Sequence, residues 1–222
     1  MNYEIEDTIA AIATPPGSGA IAIVRISGPN ALPIIKKIAG LTPRPRHAHM
    51  CALKDESGVI IDHGLIIFFP RPHSFTGEDV VELHGHGGVV VSEWLLSRVL
   101  HLGARAAEPG EFTLRAFLND KIDLAQAEAV ADLINSGSRE AAQAALRSLD
   151  GAFSERVLRL QKTLTKARVH IEAWLDFPDE DIEPAQIVEI QDHLKESISF
   201  LEHLRSVARD GVQLRDGVDI VI

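Results

Sequence analysis

The residue types most able to do chemistry stand close together in the segment Glu82–Gly88, which reads Glu-Leu-His-Gly-His-Gly-Gly. If this segment is a strand, alternation places Glu82, His84 and His86 on one face, where two imidazoles and a carboxylate could bind a divalent metal. A metal-dependent hydrolase is therefore one hypothesis. The glycines instead predict a turn after His84 and a helix N-terminus beyond it, an environment that favours anions. We therefore favour a packing or turn-stabilising role for the two histidines and predict no metal site.

Charged residues also interrupt two apolar, strand-like runs. Arg25 lies within Ile21–Ile26, and Glu82 lies within Val80–Leu83. A charge buried there must meet an opposite charge, a ligand or water, because an unpaired buried charge is very costly. The alternative is that both side chains lie on exposed faces of their strands. Lys121 is a third candidate, because it lies between two predicted helices and either reaches into a neighbouring pocket or remains solvated.

Several catalytic signatures are missing from the sequence. It contains no Gly-x-x-x-x-Gly-Lys-Ser/Thr phosphate-binding loop and no Gly-x-Ser-x-Gly nucleophile motif. Cys51 is the only cysteine, and nothing in its context marks it as a thiol nucleophile. We therefore predict no catalytic residue within this chain.

Charge and composition restrict the environment and the partners. The net charge is −10, with 10 Lys and Arg against 13 Asp and Glu in residues 1–120, and 12 against 19 in residues 121–222. A free-standing RNA-binding domain usually has a basic face, so an RNA substrate would need positive charge from another surface or subunit. No apolar run approaches the roughly 18–20 residues of a membrane span, and the acidic start is unlike a secretory signal. Because a lone cysteine also fits a reducing compartment, we expect a cytoplasmic protein with no membrane segment.

The elements that must position these residues differ between the two parts of the chain. The first 120 residues predict an α+β domain, because the apolar period changes repeatedly between that of a strand and that of a helix. The predicted strands are Thr8–Thr14, Ala20–Ser27, the hairpin of His47–Lys54 and Val59–Phe69, Asp79–His84, and Ala104–Ala107. The predicted helices run from Asn30 to Lys37, from Val89 to Leu102, and onward from Pro109.

After Asp120 the pattern is helical. Apolar residues recur every three or four positions, which predicts long helices whose apolar stripes pack as a core. The predicted elements are a helix with a capping box at Asp123 and Gln126, long helices at Ser138–Phe177 and Ala185–Asp210 around the acidic break Pro178–Pro184, and the start of a buried strand at Gly217–Ile222.

Seven ungapped segments carry a resemblance to a known family. They are Thr14–Gly19, Val24–Gly28, Ser74–Asp79, Glu82–Gly88, Pro109–Lys121, Leu124–Ala129 and Asp176–Glu180. In this order they are similar to the tRNA-modification GTPase MnmE (TrmE) family. The match runs over nearly the whole chain, and long blocks in one order are far more specific than a single short motif.

The resemblance implies a fold and a ligand. Residues 1–120 would form an α+β domain with a mixed sheet, similar to the tetrahydrofolate-binding aminomethyltransferase domain, that dimerises and binds 5-formyl-tetrahydrofolate or 5,10-methylene-tetrahydrofolate. Residues 121–216 would form the first part of an all-α long-helix domain, and residues 217–222 would begin a GTPase domain absent from this chain. By position, the family's folate contacts fall on Arg25, Glu82 and Lys121. A carboxylate suits the ring N–H and amino groups of a pterin, and cations suit the anionic glutamyl tail.

The resemblance also implies the activity and partners of an intact protein. With the FAD-dependent partner MnmG, it would add an aminomethyl or carboxymethylaminomethyl group to C5 of the wobble uridine of tRNA, using a folate one-carbon unit. It would hydrolyse GTP with Mg²⁺ and K⁺ in the GTPase domain, so this chain alone is expected to be inactive on GTP. A hydrolase that uses Glu82, His84 and His86 is the alternative, as is a structural module whose long helices dock partners.

Overall fold

The computed structural model describes residues 7–176 and 184–216 of the chain. The chain forms two compact units, Met1–Ile122 and Asp123–Ile222. The predicted strand Gly217–Ile222 and most of the predicted acidic break Pro178–Pro184 lie outside the described residues.

A mixed sheet forms the centre of the first unit. Its strands are β1 (Ile9–Ile12), β2 (Ile21–Ser27), β3 (His49–Lys54), β4 (Ile60–Phe69), β5 (Val80–His86) and β6 (Arg105–Ala106). They are arranged in the order β3-β4-β5-β2-β1-β6. Neighbouring strands are antiparallel, except that β6 runs parallel to β1.

Two helices cover one face of this sheet. They are α1 (Ala31–Ala39) and α2 (Val89–His101), and a third helix, α3 (Glu111–Leu118), follows the last strand. Because side chains alternate along a strand, every second residue of β2 and β5 faces these helices. The resulting core contains Val24, Ile26, Ile34, Ile35, Ile38, Leu83, Leu95 and Val99. The predicted α+β fold with a mixed sheet is confirmed.

The prediction that the fifth strand stops at His84 is wrong. Strand β5 continues to His86, because its backbone pairs with β2 from Ser27↔Val80 through Ile21↔His86. Gly85 is buried against the side chains of Asp62 and Leu95, so the residue that suggested a turn is needed for close packing inside the sheet.

The second unit is helical in the part that the structure describes, as predicted. Its helices are α4 (Leu124–Asn135), α5 (Arg139–Leu149), α6 (Ala152–Asp176) and α7 (Pro184–Asp216). The predicted capping box is present: the Asp123 carboxylate accepts from the Gln126 N–H at 2.9 Å, and the Gln126 side chain accepts from the Asp123 N–H at 3.0 Å. None of the helices in the described ranges is long and apolar enough to cross a membrane.

The predicted single helix from Ser138 to Phe177 is wrong. The chain turns at Asp150–Gly151, where Gly151 has φ 90°, and this turn separates α5 from α6. Glycine adopts this left-handed conformation with little strain, and it ends many helices for that reason. The apolar stripes are also only partly buried: Ala167, Ile190 and Leu204 lie inside, whereas Leu164 and Ile198 remain exposed.

Candidate functional site

Arg25 and Glu82 meet on the sheet face opposite the two covering helices. They are direct cross-strand partners in the β2–β5 ladder. The Arg25 guanidinium donates two hydrogen bonds to Glu82 Oε1, from Nη2 at 2.8 Å and from Nε at 3.0 Å. Their side chains are 29% and 15% exposed, so the pair is half-buried and still accessible. The sequence left open whether each charge meets a partner or lies on an exposed strand face. The structure shows that Arg25 and Glu82 are each other's partners.

His84 completes the polar centre of this face. Its Nε2 atom lies 3.2 Å from Glu82 Oε2, so Arg25 and His84 contact different oxygens of the same carboxylate. His86 does not join them, because its Nδ1 atom pairs with Asp62 Oδ1 at 2.7 Å. In residues 7–176 and 184–216, no group of three or more His, Cys, Asp or Glu side chains is placed to hold a metal ion.

Two aromatic rings flank the guanidinium. The Arg25 Cζ atom lies 5.8 Å from the ring centroid of Phe75 and 5.7 Å from that of Phe112. Both distances are within the range of cation–π attraction, so the rings hold the charged group in place. Our sequence reasoning missed both residues, although Ser74–Asp79 and Pro109–Lys121 are among the segments that suggested the family. The available signal was the presence of one aromatic residue near the start of each segment, Phe75 in the first and Phe112 in the second.

Lys121 lies beside the loop that carries Phe75. A Cβ atom added to Gly77 would lie 3.2 Å from Lys121 Cγ and Cδ, so the aliphatic stem of the lysine packs on this loop. The residue is exposed, and its ammonium forms no ion pair with any residue that the structure describes. Arg25 and Lys121 therefore approach the same loop, at positions two residues apart.

A buried arginine anchors that loop. Arg115 is fully buried, and its guanidinium donates to Glu78 Oε1 at 3.1 Å, to Glu111 Oε1 at 3.0 Å and to Asp7 Oδ1 at 2.6 Å. Ser27 Oγ donates to the other oxygen of Glu78 at 2.6 Å. These bonds tie the loop around Phe75 to β2 and α3, and so fix the aromatic ring beside Arg25.

The electrostatics of this anchor favour ionised carboxylates. Hydrogen bonds from Arg105 lower the pKa of Glu111 to about 2. Burial alone would raise the pKa of Asp7, but hydrogen bonds from Arg105 and Arg115 hold it below its ordinary value. The anchor was absent from our sequence analysis. The sequence feature that could have revealed it is the position of Arg115 four residues after Glu111 on a short helix, a spacing at which side chains meet.

A separate pocket of about 370 Å³ lies at the end of the sheet. Its walls are the loop from Thr14 to Gly19, together with Ile21, Val89 and Glu93. It contains none of the three residues suggested by the sequence, so it is distinct from the polar centre of the sheet face.

Comparisons with known proteins cover both units. Residues 8–121 match a family model described as the GTP-binding protein TrmE N-terminus, and residues 124–219 match one described as the MnmE helical domain. The chain is 54% identical over 218 residues to the tRNA modification GTPase MnmE of Nitrosococcus oceani, covering 98% of the chain and 48% of that protein. It is 52% identical over 217 residues to the protein of the same name from Sodalis glossinidius, covering 97% of the chain and 48% of that protein. The chain thus spans about half the length of the curated relatives that it matches.

Proposed function

The chain belongs to the MnmE family of tRNA modification GTPases, and from this premise we propose that it is the folate-binding, dimer-forming part of such an enzyme. Arg25, Glu82 and Lys121 bind a reduced folate, either 5-formyl- or 5,10-methylene-tetrahydrofolate. The folate supplies a one-carbon unit for the modification of C5 of the wobble uridine in tRNA. This modification takes place in the cytoplasm, in a complex with the FAD-dependent protein MnmG.

The observation that carries this proposal is the Arg25–Glu82 pair on an accessible face, with two aromatic rings beside Arg25. A pterin ring offers an N–H and an amino group side by side, and a carboxylate such as Glu82 accepts both. The rings of Phe75 and Phe112 border the pair and provide flat apolar surface for a planar ligand. The residues present therefore fit the chemistry of a folate.

The same geometry predicts that a bound pterin replaces one of the side chains that contact Glu82. A carboxylate has about four lone-pair positions, and three of those on Glu82 are occupied by two N–H groups of Arg25 and by His84. A bidentate pterin must therefore displace Arg25 or His84 from Glu82. Displacement of Arg25 would free its guanidinium to neutralise the anionic glutamyl tail, together with the unpaired ammonium of Lys121.

The dimer would use the same face of the sheet. Met50 faces Leu65 across β3 and β4, and Leu65 faces His84 across β4 and β5. Met50 is 68% exposed and Ile21, at the other side of the polar centre, is 63% exposed. Exposed apolar residues around a half-buried charged centre are typical of a surface that a second copy covers. The folate site would then lie at the edge of a homodimer interface.

The remaining activities belong to other parts of an intact protein. The sequence has no phosphate-binding loop for GTP, so we place GTP hydrolysis, with its Mg²⁺ and K⁺, outside these 222 residues. The exposed apolar side chains of α6 and α7, such as Leu164 and Ile198, would pack against further helices from the rest of the protein.

Calorimetric titration with 5-formyl-tetrahydrofolate tests the site. Replacing Glu82 with Gln keeps the shape and removes the charge, so we expect affinity to fall at least about tenfold, as for the loss of a charged hydrogen bond. Glu56→Gln is the matched control, because Glu56 is 74% exposed and pairs with Arg98 away from the site. Unchanged affinity in Glu82→Gln would remove Glu82 from the folate site.

A further inference from the structure

Helix α6 carries a concentration of positive charge in this acidic chain. Residues 156–171 contain five of the 22 Lys and Arg residues and no Asp or Glu, although the chain has a net charge of −10. Helix α7 has the opposite balance over a similar length: residues 187–207 hold two cations, Lys195 and Arg205, against four acids. The excess of cations is therefore a feature of α6 that α7 does not share.

Three of these cations lie along one side of the helix. Arg159, Lys162 and Lys166 are spaced three and four residues apart, a spacing that aligns side chains on a helix surface. All three are exposed. At a rise of 1.5 Å per residue, this α6 basic stripe (Arg159, Lys162 and Lys166) is about 10 Å long.

The stripe is not used to stabilise the fold. None of its members forms an ion pair with a residue in the described ranges, whereas the neighbouring Arg168 lies 3.5 Å from Glu172. Glu155 lies one turn before the stripe, and Glu189 of α7 lines a groove together with Lys166. Like charges four residues apart, as in Lys162 and Lys166, destabilise a helix by a few tenths of a kcal/mol, so the stripe requires another explanation.

We propose that the α6 basic stripe binds the phosphate backbone of tRNA. Exposed, flexible cations without internal partners are the groups that neutralise phosphates, and such contacts position a nucleic acid without reading its sequence. A stripe of about 10 Å reaches successive phosphates of one strand. The inference rests on the tRNA substrate of the family and uses no residue of the proposed folate site.

Binding of fluorescently labelled, unmodified tRNA tests this proposal. The triple variant Arg159→Gln, Lys162→Gln, Lys166→Gln removes the stripe. The triple variant Lys36→Gln, Lys37→Gln, Lys54→Gln loses the same charge from the first unit and serves as the control. At 50 mM salt we expect the stripe variant to bind at least about tenfold more weakly, and its slope of log affinity against log salt to become shallower by about 2 to 3. The control should stay within about threefold of the unaltered chain.

Three results would overturn the proposal. They are an unaltered chain that does not bind tRNA at 50 mM salt, a stripe variant that binds normally, and equal weakening in both triple variants. Circular dichroism shows whether the variants are still folded. The single variant Lys162→Glu tests binding with only one residue changed, so loss of binding can be distinguished from loss of folding. The folate titration is run in parallel, so failure of the folate site leaves this test unaffected.

Discussion

Arg25 and Glu82 are 57 residues apart in the chain and directly opposed on neighbouring antiparallel strands, with Nη2 and Oε1 2.8 Å apart. The pair is preorganised, because each strand fixes its backbone and the rings of Phe75 and Phe112 lie 5.8 and 5.7 Å from Arg25 Cζ. Any ligand that binds Glu82 has to compete with a partner that is already in place.

A double-mutant cycle measures this coupling. With Arg25→Met and Glu82→Gln, we expect an interaction free energy of about 1–2 kcal/mol, because both side chains are mostly buried and share two hydrogen bonds. The same cycle on Arg98 and Glu56 is the control and should give at most about 0.5 kcal/mol, since Glu56 is exposed. Urea unfolding in a Trp174→Phe background isolates the first unit, where Trp94 is then the only tryptophan. Equal values for the two cycles would contradict the proposed preorganisation.

Removal of the buried arginine should be far more costly. Arg115→Met leaves the carboxylates of Glu78 and Glu111 without their buried counter-charge, and we expect a loss of about 3–5 kcal/mol in unfolding free energy. Arg105→Met is the control: Arg105 contacts Glu111 and Asp7 as well, but it is 47% exposed, so about 1 kcal/mol or less is expected. Trp94 fluorescence reports both variants. Similar losses would show that Arg115 is no more important than a surface cation.

The stability of the first unit should depend on Glu111 in acid. The pKa of Glu111 is about 2 in the folded chain, below its ordinary value of 4.5, so the unfolded chain binds this proton more readily. The stabilisation is complete above pH 4.5 and is lost as the pH falls toward 2. We therefore expect the difference in unfolding free energy between the unaltered chain and Glu111→Gln to shrink over this interval. A difference that stays constant from pH 5 to pH 2 would exclude the shift.

The capping box of α4 should stabilise the second unit. Asp123→Ala removes the acceptor of the Gln126 N–H, and such losses typically cost about 1 kcal/mol. In a Trp94→Phe background, Trp174 on α6 reports this unit. Asp192→Ala, which removes only an exposed contact to Lys195, should cost at most about 0.5 kcal/mol. If both variants unfold alike, the box contributes no specific stability.

Local patterns predicted much of the architecture. Helix α2 was predicted at Val89–Leu102 and is observed at Val89–His101, because its apolar period and its end signals lie within the segment itself. The capping box at Asp123 was found for the same reason. By contrast, the apolar period continues across Gly151, so the pattern gave no warning of the turn that splits the predicted helix.

In the candidate site, too, some features could be predicted from the sequence and others could not. Arg25, Glu82 and Lys121 were selected by their types, their apolar surroundings and a family resemblance, none of which needs a three-dimensional contact. The pairing of Arg25 with Glu82 instead depends on the β2–β5 register, and the continuation of β5 to His86 depends on the same ladder. Arg115 was missed because two of the three carboxylates that neutralise it, those of Asp7 and Glu78, come from distant parts of the chain. Only Glu111 is close to it in sequence.

The sequence by itself determined the order and type of most elements, the family, and which charged residues needed a partner, because each of these follows from the local order of residue types. Only the tertiary structure decided which partner each charge has, which loop carries the aromatic rings, and where β5 ends. Those outcomes depend on strand register and on contacts between distant segments, and the energy of such contacts is fixed only when the chain has folded.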